Sequence, residues 1–417
     1  MKMQQKRNHC RMLKAVTGSL LLAGFIANAH AGAIADLTGY DANETSLLKN
    51  NGITVGGWAN TGITYNASNP ANNFNGTVTF GDRSSEVQLN QLNLFIQRAV
   101  ATEGSGWDFG GRFDAMFGSD AIFTQSYGSL GGHWDRKLIN ERFYNLAMPQ
   151  AYAEIYAPFG NGLNIKVGHF YTPIGYETVP APDNFFYTHA YTMQFGEPFT
   201  HTGVLLNYTV DANWSVVGGA LTGSETGGWD GAFDQQLGNW GGLLGATWTS
   251  NDKGTSLNLT GTYSETSETN SAAWAMYSAV FKHNITDKTH LILQHDHGFA
   301  NGAATGGTDA TWYGVNTHLI YDITDTLSAG VRGEWFRDQN GVRVFSPARA
   351  GGIANAASYY AVTAGVNWKP KTWLSVRPNV RYDWADGTDA INGGQYRPFG
   401  NSKQDQFLFS TDFSITF

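Results

Sequence analysis

The C-terminal stretch Phe407-Leu408-Phe409-Ser410-Thr411-Asp412-Phe413-Ser414-Ile415-Thr416-Phe417 constrains the fold more than any other segment. On an extended chain, Phe407, Phe409, Thr411, Phe413, Ile415 and Phe417 fall on one side, and Ser410, Asp412, Ser414 and Thr416 on the other. Successive side chains of a strand point to opposite faces, so this is a strand with one apolar and one polar face. A chain ending on a bare Phe needs an apolar cover for that face. In a barrel spanning a bacterial outer membrane, lipid provides it. The same dyad recurs in Leu374, Val376, Pro378, Val380, Tyr382 and Trp384 against Ser375, Arg377, Asn379, Arg381 and Asp383, and in Tyr313, Val315, Thr317, Leu319 and Tyr321 against Trp312, Gly314, Asn316 and His318. Strands this long and this polar on one side suit a water-lined barrel wall, not the core of a compact sandwich.

The N-terminus agrees with an exported chain. Lys2, Lys6, Arg7, Arg11 and Lys14 precede an apolar run from Ala15 to Ala27 and the small-residue triplet Ala29-His30-Ala31, the order of a cleavable secretory signal over residues 1–31. That run is too short to span a bilayer as a helix, and no later stretch is longer, which excludes a helical membrane protein. All five basic residues lie before residue 32 with no acidic ones, so the net charge of −8 becomes −13 in the mature chain. Nucleic acid is therefore not an expected partner. The single cysteine, Cys10, lies inside the signal, leaving the mature chain without a disulfide or a thiol ligand. Charged residues make up only 14% and Gly is 51 of 417, a profile that suits a sheet protein with many turns.

The periodicity predicts an all-β fold: a transmembrane antiparallel barrel of about sixteen strands, with short periplasmic turns and long extracellular loops. Strands are expected near 53–65, 86–99, 107–119, 147–157, 163–172, 200–210, 213–223, 240–250, 255–265, 273–285, 288–299, 309–322, 325–337, 357–369, 372–386 and 403–417. Tight connections at Pro158–Gly162, Asp211-Ala212, Asn251–Gly254, Thr286-Asp287, Ile323-Thr324 and Pro370-Lys371 carry Asp, Asn, Gly and Pro, which favour reversal. They alternate with mostly longer connections at 66–85, 120–146, 173–199, 224–239, 338–356 and 387–402. Trp368, Trp373, Tyr382, Trp384, Trp335 and Tyr321 fall near strand ends, where amphipathic rings sit at headgroup depth. Residues 32–52 form a pre-barrel segment to which the sequence assigns no function, and 53–417 form the barrel.

Gln150 to Glu154, then Lys166-Val167-Gly168-His169-Phe170-Tyr171-Thr172-Pro173-Ile174-Gly175-Tyr176-Glu177, Asn184-Phe185-Phe186-Tyr187 and Glu197-Pro198-Phe199-Thr200-His201-Thr202-Gly203 resemble the OmpL-like β-barrel porin family. Gly330 to Asp338 and Gly341-Val342-Arg343 are similar to that family's late strand and loop. The resemblance implies an outer-membrane porin and leaves the solute open.

Loop 173–199 is the third long one and carries Glu177, Asp183 and Glu197. In general porins the third loop folds into the lumen and narrows it, so an acidic pore constriction is expected here; an outward loop packed on the rim is the alternative. Arg112, Arg332, Arg377 and Arg381 have lumen parity and would form a basic wall opposite. Such a transverse field filters by charge and size. Alternatively, the arginines brace the wall by pairing with Asp114, Glu334 and Asp383, and both roles can coexist. His295-Asp296-His297 offers two same-face histidines but no third ligand, so a strand-end polar cluster is expected there, with no metal and no cofactor. Neither a Gly-x-Ser-x-Gly elbow nor a His-Glu-x-x-His occurs, so no enzymatic activity is expected. A diffusion porin for small hydrophilic solutes or ions leads; a non-conducting binding or structural barrel is the alternative, and a lumen filled by loops would favour it. The expected partners are outer-membrane lipid, the passing solutes and the barrel-insertion machinery, the last through Phe417. General porins of this size are often homotrimers, but no sequence feature decides between monomer and trimer.

Overall fold

The computed structural model describes residues 32–102, 105–125, 143–222, 240–265, 273–348 and 352–417, with a few isolated positions at 134–141 and 237–238. The expected signal, 1–31, lies outside the described residues. Sixteen antiparallel wall strands form one closed sheet. In chain order they are β1 (Ile53–Asn66), β2 (Val87–Arg98), β3 (Asp108–Gly118), β4 (Asn145–Ala147 with Ala151–Ala157), β5 (Leu163–Tyr171), β6 (Thr200–Thr209), β7 (Trp214–Thr222) and β8 (Trp240–Thr249). They continue as β9 (Thr255–Glu265), β10 (Ala273–Thr286), β11 (Thr289–Ala304), β12 (Thr308–Thr324), β13 (Leu327–Asp338), β14 (Ala357–Lys371), β15 (Leu374–Val376 with Asn379–Gly387) and β16 (Asp405–Thr416). β1 pairs with β16, from Trp58 opposite Thr416 to Asn66 opposite Leu408, which closes the barrel. Closure satisfies every wall strand on both edges, the condition for crossing a bilayer with strands.

Two expected strands are interrupted. The strand expected at 147–157 breaks between Ala147 and Ala151, where Pro149 lacks a ladder donor, and the strand expected at 372–386 breaks between Val376 and Asn379 at Pro378. The connection between β11 and β12 is a tight turn at Thr305–Gly307, unlike the longer ones on the same rim. A two-stranded hairpin, Phe345–Ser346 with Ile353–Ala354, decorates the loop after β13.

The outer face is apolar and bare: Phe407, Phe409 and Phe413 on β16 are 45%, 50% and 46% exposed, while Ser410, Asp412 and Ser414 between them are buried. The inner face departs from a purely water-lined wall. Leu205, Val217, Leu221, Leu243, Trp274 and Met276 point inward from β6 to β10 and are buried in one cluster with Ile174 and Phe195. An inward apolar residue is tolerated because the connection after β5 folds onto it and excludes water.

His295 and His297 flank the Tyr277 ring on one face of β11. Their positions are mid-strand, not at a strand end as the sequence suggested, and Asp296 between them is buried on the opposite, inward face.

Candidate functional site

Residues 173–199 run among inward-facing side chains from most of the circumference. Gln91 on β2 donates to Val179 O (2.8 Å) and accepts from the Ala181 amide (3.0 Å). Asn316 on β12 donates to Thr192 Oγ1 at 2.7 Å, Asn367 on β14 to Phe185 O at 3.2 Å, and Trp312 on β12 to Gly196 O at 3.2 Å. The anchors are mostly amides because a side-chain amide satisfies backbone donors and acceptors without burying a net charge.

Glu177 lies at the centre of the charged contacts. Arg332 Nη1 donates to its Oε1 at 2.6 Å, His189 Nδ1 and the Ala190 amide donate to Oε2 at 3.1 and 2.8 Å, and His318 Nε2 lies 3.7 Å from Oε1. Burial opposes ionisation of Glu177, but the Arg332 charge and the His189 hydrogen bond outweigh it and hold the carboxyl far below its usual range. Arg332 also reaches Thr188 O (2.7 Å) and Glu334 (3.1 Å). Arg381 donates to His189 O at 2.8 Å and pairs with both Asp383 and Glu334. Arg377 pairs with Asp412 and donates to Ala181 O and Asn184 O at 2.6 and 2.8 Å. Arg112 differs: it grips Asp114 through two nitrogens at 2.6 and 2.9 Å and has no hydrogen bond to 173–199. Three of the four sequence-selected arginines therefore meet the loop, and three of the four form the wall pairs Arg112–Asp114, Arg332–Glu334 and Arg381–Asp383.

The other two acidic residues are placed differently from Glu177. Among the described residues Glu197 faces no arginine. Gln294 Nε2 on β11 donates to Glu197 Oε1 at 2.5 Å and to the two Asp296 oxygens at 3.0 and 3.1 Å, so two buried carboxyls converge on one amide nitrogen. Burial and the adjacent Asp296 push the Glu197 carboxyl well above its usual range, favouring the protonated form. Gly175 makes room: its φ is +90°, and a Cβ there would stand 1.6 Å from Glu197 Oε2. Asp183 is exposed, with no ion pair or side-chain hydrogen bond among the described residues. Desolvation by the surrounding protein raises its carboxyl to about 7 against the opposing charges of Lys369, Arg112 and Arg377.

Sequence reasoning missed a second inward segment. Between β1 and β2, Phe74, Val78 and Phe80 are buried; the Thr79 amide and hydroxyl both donate to Gln194 Oε1 (2.8 and 2.7 Å), Thr77 meets the Tyr191 hydroxyl at 2.8 Å, and Phe80 packs on His189 with centroids 4.5 Å apart. Apolar residues within a loop otherwise rich in Asn and Gly were the available signal. One cavity between the two segments, bounded by Asn60, Gln91, Asp120, Tyr187 and Arg377, is about 10 Å³, room for one water.

Residues 52–417 match the family described as "Putative beta-barrel porin-2, OmpL-like". The chain belongs to this family of β-barrel porins. Its place is the bacterial outer membrane. Solved structures of the same architecture include the outer-membrane channel DcaP of Acinetobacter baumannii (13% identity, TM-score 0.56, covering 88% of this chain and 97% of that one) and an anion-selective porin from Comamonas acidovorans (10%, 0.56, 88% and 99%). The trimer form of OmpT, an outer membrane protein of Vibrio cholerae, is similar as well (10%, 0.52, 88% and 99%). At these identities the likeness is one of fold. No curated protein sequence matches the chain.

Proposed function

We propose that this porin passes small hydrophilic solutes or ions by passive diffusion along a narrow route beside 173–199, and that it catalyses no reaction. One observation carries the reading: the segment after β5 is held among inward-facing side chains by hydrogen bonds to β2, β11, β12, β13, β14 and β15, while Asp183 within it stays exposed. In this reading Glu177, Asp183 and Glu197 stand on the constricting side and Arg112, Arg332, Arg377 and Arg381 on the wall. Of the three, only Asp183 has neither an ion pair nor a side-chain hydrogen bond among the described residues, because Glu177 is engaged by Arg332 and Glu197 favours its protonated form. Purified protein in a planar bilayer should give discrete, small conductance steps. A bilayer that stays silent at high protein load would sink the channel reading.

The packing of two loops inside the wall favours a second reading, a non-conducting binding or structural barrel, which the same recording separates from the first. Assembly as a homotrimer is consistent with the trimer form of the similar Vibrio cholerae protein.

Phe417 is proposed as the terminal signal read by the insertion machinery. Its backbone already closes the seam, exchanging hydrogen bonds of 2.8 and 2.9 Å with Gly57. Phe417→Ala keeps those bonds and removes only the ring, so a lowered outer-membrane yield of this variant is expected; unchanged yield would remove the role.

A further inference from the structure

Residues 32–52, to which the sequence assigned no function, are folded and tethered to the short-turn rim. Helix α1 (Ala33–Thr38) and helix α2 (Ser46–Asn50) flank a turn at Ala42–Glu44. Three tethers hold one side. Asn43 brackets Val55, accepting from its amide at 2.8 Å and donating to its carbonyl at 3.0 Å. Asp36 accepts from the Trp373 indole at 2.9 Å, on the turn between β14 and β15, and from Lys371 at 3.4 Å, the last residue of β14. Gly32 lies against the end of the chain, where a Cβ would come 2.6 Å from the Phe417 Cα. The segment thus crosses the rim from β15 past β16 to β1.

The other side is bare and apolar: Ile34, Leu37, Tyr40 and Leu47 are 52%, 72%, 59% and 72% exposed. A few surface hydrogen bonds are a weak return for ordering about twenty residues, so these side chains need a cover. The rim supplies one. Phe413 and Trp368, on the adjoining outer wall of β16 and β14, are 46% and 47% exposed and face lipid in an outer-membrane barrel. The bare side chains therefore continue the lipid-facing surface past the ends of the strands, with the charged Asp36, Asp41, Glu44 and Lys49 interspersed as in a segment lying at a headgroup boundary.

We infer that residues 33–47 form a membrane-interface collar, with Ile34, Leu37, Tyr40 and Leu47 seated in the headgroup–acyl boundary of the leaflet at the short-turn rim. This does not depend on conduction. Cys10 is the sequence's only cysteine, so single reporters can be placed cleanly in a Cys10→Ser background. Leu37→Cys, Leu47→Cys and, on the wall, Phe413→Cys are each labelled with an environment-sensitive fluorophore, and the full chain is reconstituted in phosphatidylethanolamine–phosphatidylglycerol vesicles with or without brominated acyl chains. The collar requires blue-shifted emission at 37 and 47 and quenching by the brominated lipid comparable to that at 413. Water-like, unquenched emission at 37 and 47, with 413 still quenched, overturns it. Blue-shifted but unquenched emission also overturns it, and assigns the surface to a second copy of the chain.

Discussion

Arg332→Ala is expected to undock the segment 173–199 and raise single-channel conductance several-fold, with added noise, while the barrel itself stays folded. Arg332 is completely buried and supplies ion pairs to Glu177 and Glu334 and hydrogen bonds to Thr188 O and Thr363. Truncating Arg332 leaves Glu177 enclosed without its guanidinium partner, while Glu334 keeps Arg381, a loss of about 3–5 kcal/mol for a buried pair. That loss falls on loop docking, because the backbone ladders between β13 and its neighbours do not involve the side chain. Arg332→Lys should fall between the two, since an ammonium cannot reproduce the fork that spans Glu177, Thr188 and Glu334. Limited proteolysis provides the independent readout: the Ala variant should be cut within 173–199 and the wild type should not. Wild-type conductance together with an uncut loop would contradict the assignment. The pH response follows from the sign of the Glu177 shift. Its carboxyl is lower in the folded protein than its ordinary 4.5, so its contribution is fully present above that value and is lost progressively as the pH falls below it.

Asp183→Asn is expected to move the reversal potential in a salt gradient toward anions, and it should be the only one of the three loop carboxyls to do so without altering the loop. A unit charge about 4 Å from a passing ion is worth about 1 kcal/mol in bulk water, roughly a fivefold change in local ion occupancy, and more where the solvent is confined. Glu197→Gln should leave ion preference unchanged, because burial and Asp296 favour its protonated form. Glu177→Gln instead frees Arg332 and should behave like a docking variant. With its carboxyl raised to about 7, Asp183 is neutral below that pH and charged above it. The wild-type reversal potential should therefore drift toward cations as the pH rises through about 7, and the drift should vanish in Asp183→Asn. A drift that persists in the variant would move the titrating group elsewhere.

The pairing of Arg332 shows why the site was only partly legible. Lumen parity of Arg332, Arg377 and Arg381 follows from a period of two and needs no knowledge of the rest of the molecule. Their wall partners Glu334 and Asp383 could be named because residues two apart on a strand share a face. The partner that lies 155 residues away, Glu177, and the carbonyls of Ala181, Asn184 and His189 could not, because the path of an irregular segment is set by the inward surface it lands on. The inward course of 67–86 was hidden for the same reason: what covers Phe74 and Phe80, the Phe143 ring for the first and Phe123, Met193 and His189 for the second, comes from distant parts of the chain.

By itself the sequence determined the barrel. Alternation along β12, β15 and β16 states which side chains face lipid, the spacing of turn residues states how many strands there are, and a closed sheet is the one way such strands can satisfy their backbone in a bilayer. Only the tertiary structure decided what the lumen contains. Periodicity reports which face a residue is on but not what stands opposite, so it could not distinguish an inward Leu243 or Trp274 covered by a loop from one facing water. Nor could it show that Glu197 would meet Asp296 and Gln294 in place of an arginine. Those outcomes depend on contacts across the barrel, where desolvation makes each polar group seek whatever partner the opposing wall presents.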